Sequence, residues 1–152
     1  KEQRHKIVEI RKELKDLILA NPSASSVIEL LNSVVGIGFT SALFLYAEIM
    51  DINRFRTLDK LASFVGIVPS CHSSGERDSS SGLTPRKNPY LRYILIEAAW
   101  IAVRKDPELS KYYSSLLCRM KKTDAIIRVA KKLLNRIRFV WKNGEKYKRT
   151  VN

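Results

Sequence analysis

Only two of the 152 residues are cysteine, Cys71 and Cys118. That excludes the disulfide framework of a small secreted domain, and the two are not spaced as zinc ligands. A reducing cytoplasm is the expected compartment. Histidine is equally scarce, with His5 and His72 far apart, and Glu48, Asp51 and Asp59 do not assemble a carboxylate set for two magnesium ions. No metal or cofactor is expected in this chain. Long apolar runs are missing as well. Glu48 interrupts "FTSALFLYAEIM" and Glu97 interrupts "YILIEAAWIAV", so neither reaches the roughly 18 apolar residues of a spanning helix, and no membrane partner is expected. Strand-like alternation is absent too, which leaves an all-α fold as the expected class.

A chain of 152 residues with 45% apolar composition holds one domain whose core buries roughly 70% of the unfolded surface. Its start, "KEQRHKIVEIRKELKDLIL", has no initiator methionine and lacks a signal peptide's order of charge, apolar stretch and cleavage site. A piece of a longer chain is expected.

Charge is abundant and uneven. The formal net charge is +13, and residues 119–152 hold 12 Lys/Arg against 2 Asp/Glu, while residues 21–82 hold 4 against 6. Such asymmetry points to a polyanion partner. Nucleic acid is favoured over an anionic membrane, because no segment joins a basic face to the bulky apolar face of an interfacial helix with no core to join.

Apolar residues at Ile7, Ile10, Leu14, Leu17 and Ile18 recur at helical spacing close to a heptad. Residues 1–21 therefore read as a lead-in helix, coiled-coil-like, that packs on the domain or pairs with a second copy. Residues 22–152 form the domain proper. Pro22 is expected to end the lead-in, a short helix to run from about Ser25 to Val34, and a second helix to follow the turn "VGIG". Thr57 can cap a short helix with Asp59 in its first turn. Asn88–Pro89 and Asp106–Pro107 place a capping side chain before a proline at the first helical position. The last helix, about 123–143, is expected to be capped by Thr123 and ended by Gly144. Its apolar stripe is Ile126, Val129, Ala130, Leu133, Leu134, Ile137, Val140 and Trp141, with Arg128, Lys131, Lys132, Arg136 and Arg138 largely outside it.

Four features could carry function. "VVGIGFTSA", within a helix-hairpin-helix-like unit of about residues 25–50, brings Gly36 and Gly38 to a turn whose backbone N–H groups suit a DNA phosphate; a plain tight connection is the bland reading. The basic run with Lys131, Lys132 and Arg136 would neutralise phosphates, or form a solvated helix face. Tyr90, Tyr93, Trp100, Tyr112 and Tyr113 have helical spacing and read as core rather than as base-stacking platforms. The stretch "VPSCHSSGERDSSSG" carries two serine clusters within a loop of about residues 69–87. Composition favours a mobile linker. A serine followed by glycine, with Arg77, Arg86 and Lys87 nearby to stabilise a phosphoryl group, is also the make-up of a nucleophile.

The ordered set "VVGIGFTSALFLYAEIMDINRF", "LASFVGIVPSCHSSG", "GLTPRKNPYLRYILIEAAW" and "RVAKKLLNRIRFVWKNGEKY" resembles the C-terminal domain of insertion-sequence transposases of the Piv/MooV type, also called bridge recombinases. The resemblance covers roughly residues 28–147. It implies DNA transposition by a two-part active site. A RuvC-like domain, absent from this chain, supplies a DEDD carboxylate set that binds magnesium, and the C-terminal domain supplies a serine that becomes joined to DNA. That serine maps to Ser74 of "SSG", with Ser73 as second choice; Ser79, Ser80 and Ser81 match no nucleophile motif. The resemblance further implies DNA and a guide RNA as partners, homo-oligomeric assembly of the full-length protein, and action at the nucleoid of a prokaryotic cytoplasm. The chain alone is then expected to be inactive. Arg86 and Arg92 would serve phosphate contacts, although Lys87 stands where family members have glycine. A non-catalytic helix-hairpin-helix module is the alternative that "VGIG" and the charge support without the serines.

Overall fold

The computed structural model describes residues 2–68 and 88–148. Among these the fold is all-helical. Its elements are α1 (Glu2–Leu19), α2 (Pro22–Asn32), α3 (Phe39–Ile49), a 3-10 turn (Ile52–Arg54), α4 (Leu58–Val65), α5 (Pro89–Lys105), α6 (Pro107–Leu117) and α7 (Lys122–Asn143).

Local chemistry accounts for most boundaries. Thr57 Oγ1 accepts from Lys60 N at 3.3 Å and opens α4, whose end is the left-handed Gly66. Asn88 Oδ1 accepts from Tyr90 N and Leu91 N ahead of Pro89, and Asp106 accepts from Glu108 N and Leu109 N ahead of Pro107. Gly144, at φ 67°, closes α7.

Two boundaries differ from expectation. Pro22 opens α2 instead of merely ending α1: Asn21 Oδ1 caps Ala24 N at 3.2 Å, and the proline takes the first helical position, where an N–H would have no partner. Thr123 does not cap α7. The Ala125 N–H already reaches Lys121 O at 2.9 Å, so the helix starts at Lys122, without a side-chain cap and with Asp124 in its first turn.

The core forms around α7, which buries Ala125, Ile126, Val129, Ala130, Leu133, Leu134, Ile137 and Val140. Its partner α5 offers Leu91, Leu95, Ala98, Ala99 and Ala102, and the alanines let the two backbones approach. The α2–α3 hairpin and α4 add Leu31, Leu45, Ile49, Leu61 and Val65 to the same cluster. By contrast, α1 buries none of its residues. The helix-period reading of both stripes is correct, but only the α7 stripe is buried; of the α1 stripe, Ile18 alone packs against the core.

Candidate nucleic-acid interface

The α2–α3 turn holds two glycines for different reasons. Gly36 adopts φ +92°, and a Cβ built there would lie 2.3 Å from the backbone oxygen of Ala98. It is the point at which the hairpin is pressed onto α5. Gly38 has nothing within 4 Å of such a Cβ and precedes α3 without a side-chain cap. The N–H groups that open α3 lack intrahelical acceptors by construction, and no Gly38 side chain screens them.

The cations of α7 divide into paired and unpaired sets. Arg136 reads from spacing as lying outside the apolar stripe, yet it is only 8% exposed. Its guanidinium donates from Nη1 to Asp106 Oδ2 and from Nη2 to Glu108 Oε2, both at 2.7 Å, and it lies 4.7 Å from the centre of the Tyr147 ring. Lys132 Nζ donates to the other oxygen of Glu108 at 2.7 Å and stands 4.8 Å from the Tyr112 ring centre. Lys131 reaches Asp59 at 2.7 Å on an exposed rim, and Arg138 donates to the carbonyl of Arg56. Burial pushes the Asp106 carboxyl up, but the Arg136 hydrogen bond, the N–H groups of Leu109 and Glu108, and the Arg136 charge outweigh it and hold the group below its ordinary range. For Glu108 the Lys132 hydrogen bond is the largest influence, and its carboxyl also lies low.

The acids that balance these cations thus come from α4 and from the N-cap and first turn of α6, outside the segment in which the cations were counted. Arg119, Lys121, Lys122, Arg128 and Lys142 remain exposed, with no ion pair or side-chain hydrogen bond among the described residues. They are among the cations still available to an external phosphate.

Arg92 is exposed in the first turns of α5. Ser73, Ser74, Arg77, Arg86 and Lys87, with the expectation that their loop is mobile, lie outside the described residues. The two flanks of that segment are well held. Ile67 is buried and its N–H bonds Ala62 O at 2.8 Å; Asn88 caps α5 and also donates from Nδ2 to Glu48 Oε2 at 2.7 Å, linking α5 to α3. Among the described residues, no group of His, Cys, Asp and Glu is arranged to hold a metal ion, and no helix is long and apolar enough to cross a membrane.

Sequence reasoning missed two things here. The Asp106–Arg136–Glu108–Lys132 network had a visible clue in the acids flanking Pro107, but its cations sit 24 to 30 residues away. Of the five aromatic residues read as core, Trp100, Tyr112 and Tyr113 are partly buried, whereas Tyr90 and Tyr93 are 73% and 65% exposed.

The profile of the Transposase IS116/IS110/IS902 family matches residues 28–114, more than half of the chain. The chain belongs to this transposase family. The matched stretch runs from α2 through the glycine turn and the 69–87 segment into α6. Among curated relatives, the transposase for insertion sequence element IS1111A of Coxiella burnetii is 32% identical over 130 residues, 83% of this chain and 35% of the relative. A probable family 20 transposase of Pseudomonas aeruginosa is 33% identical over 123 residues, 81% of this chain and 32% of the relative. The insertion element IS110 uncharacterized 43.6 kDa protein of Streptomyces coelicolor is 27% identical over 140 residues, 91% of this chain and 35% of the relative. The chain therefore spans about a third of the length of these relatives.

Proposed function

We propose that this transposase-family chain acts in DNA transposition as the part of a larger enzyme that contacts DNA and carries the nucleophilic serine, Ser74, with Ser73 as second choice. The family match across the serine segment carries this reading. The resemblance to Piv/MooV-type recombinases supplies the role of the serine. The exposed cations about the ends of α7 and the unscreened turn at Gly38 supply places for phosphate. Arg77, Arg86, Lys87 and Arg92 complete the candidate DNA-contacting set from sequence, whereas Lys131 and Lys132 are engaged by Asp59 and Glu108 and Gly36 is pressed onto α5. Arg136 contributes indirectly, by fixing α7 against α6.

In the reaction, the Ser74 hydroxyl oxygen bonds to a DNA phosphorus as one phosphorus–deoxyribose oxygen bond breaks. The hydroxyl proton goes to a base and the leaving oxygen takes one up, so the phosphodiester count is conserved. Magnesium, when bound by a RuvC-like carboxylate set outside this chain, would stabilise charge on the phosphoryl oxygens. The described residues hold no carboxylate cluster for it. Guide RNA, assembly of the full-length protein into homo-oligomers and action at the nucleoid belong to the same reading. Residues 1–21 then serve as the end of a coiled-coil connector. Ile7, Ile10 and Leu17, from 52% to 69% exposed, give it an exposed apolar seam.

The deciding experiment traps the reaction of the full-length protein on element-end DNA with magnesium and maps the protein–DNA adduct by mass spectrometry. An adduct on Ser74, lost in Ser74→Ala while DNA binding persists, is the expected result. Recombination that survives in Ser74→Ala and in Ser73→Ala removes the nucleophile. The chain is then the non-catalytic hairpin module that the open geometry at Gly38 favours.

A further inference from the structure

The tyrosines of the described structure fall into two groups. Tyr46 stacks on Trp141 with ring centres 6.1 Å apart, Tyr113 meets Trp100 edge-on at 5.6 Å, and Tyr112 and Tyr147 receive Lys132 and Arg136 over their faces. All four are partly buried. Tyr90 and Tyr93 are 73% and 65% exposed, and neither ring has a ring, cation or hydrogen-bond partner among the described residues. They stand at i and i+3 in the first turns of α5, on one side of a helix whose other side buries Leu91, Leu95 and Ala98.

We propose that Tyr90 and Tyr93 form a stacking platform for unpaired bases of a DNA strand beside the serine segment, an inference that rests on the DNA-contacting reading above. A phenol ring offers a π-face to any base, and two rings one helical turn apart can hold successive bases without reading their sequence. The chain's +13 net charge complements the strand that carries those bases, and Asn88, which follows the serine segment directly, lies two residues before Tyr90. A second copy of the chain is a poor occupant. Two tyrosines can bury at most about 150–250 Å² each, well short of the roughly 800 Å² per partner of a stable dimer. The anchoring is rigid, because Asn88 both caps α5 and bonds Glu48 of α3.

The test measures affinity of the full 152-residue chain for a fluorescent single-stranded DNA, for the same sequence as duplex and for its single-stranded RNA counterpart, across a salt series. Tyr90→Ala/Tyr93→Ala should bind the single strand at least tenfold more weakly, since stacking contributes about 1–3 kcal/mol per base and 1.4 kcal/mol is tenfold. The duplex affinity and the slope of log affinity against log salt should not move, because stacking releases no counterions. Tyr90→Phe/Tyr93→Phe should retain the wild-type preference, and an unchanged thermal melt confirms that each variant folds. Equal single-strand affinity in the alanine pair and the wild type overturns the platform while leaving DNA contact intact. A parallel loss on single strand and duplex also overturns it, as does a tyrosine-dependent preference for an RNA strand over DNA. Absence of binding to any nucleic acid by the wild type overturns both this inference and the reading on which it rests.

Discussion

α7 and α1 are the two longest charged helices of the fold, 22 and 18 residues, and both show an apolar stripe at helical spacing. α7 places its stripe in the centre of the domain and holds several of its cations in pairs with α4 and α6. α1 leaves Ile7, Val8, Ile10, Leu17 and Leu19 more than half exposed. The comparison teaches that periodicity identifies a face that can be buried and says nothing of what buries it. The same holds for charge: a cation counted in sequence becomes available to DNA only if no acid folds against it.

The sharpest way to break the comparison is in the core. Leu133→Ala in α7 removes a fully buried side chain and should cost about 3–5 kcal/mol; a urea midpoint close to wild type would mean that α7 is not the central element. Next comes Asp106→Ala, which strands a buried arginine and uncaps α6. Its cost should be about 3 kcal/mol, at the lower end for a broken buried pair because Glu108 still faces Arg136. This contribution has a pH signature. The Asp106 carboxyl lies below its ordinary 3.8 in the folded state, so its stabilisation is fully present above that value and is lost as pH falls through the lower folded-state value. Thermal melts of wild type and variant should converge in that acid range, and a constant gap would assign the loss to packing alone.

Smaller effects sharpen the contrast within the glycine turn. Gly36→Ala, which forces a Cβ against Ala98 O in a left-handed conformation, should cost about 2 kcal/mol. Gly38→Ala should leave stability within about 0.5 kcal/mol. A DNA-affinity loss in Gly38→Ala without a stability loss would fit phosphate approach at that turn. The smallest effect is expected in α1, where Leu17→Ala should shift the chain's stability by less than about 0.5 kcal/mol. If removing residues 1–20 leaves the sedimenting mass per particle unchanged apart from the deletion, the seam does not pair protomers.

Much of the fold was legible because its signals are local. Thr57, Asn88, Asp106 and Gly144 act within one turn of themselves, and seven of the eight residues assigned to the α7 stripe are buried. Pro22 reads ambiguously because a proline after a helix and a proline at the start of the next look alike when only Ala20 and Asn21 lie between the two helices. Arg136 was misplaced for a different reason. Its spacing is that of a boundary position, and only the return of α6 alongside α7 turns that boundary into a buried ion pair. The exposure of Tyr90 and Tyr93 was likewise hidden, since aromatic residues at helical spacing are compatible with either side of a helix.

Local sequence was enough for the all-helical class, the caps at Thr57, Asn88 and Asp106, the apolar stripes, the excess of positive charge and the ordered motifs that mark a transposase-family chain. These depend on neighbours within a few residues or on composition, where backbone hydrogen bonding and side-chain period act directly. Packing between distant segments set which stripe is buried, which glycine the fold requires and which cations and tyrosines stay free. Each of those outcomes depends on a partner tens of residues away, brought close only when burial of the common core aligns the helices.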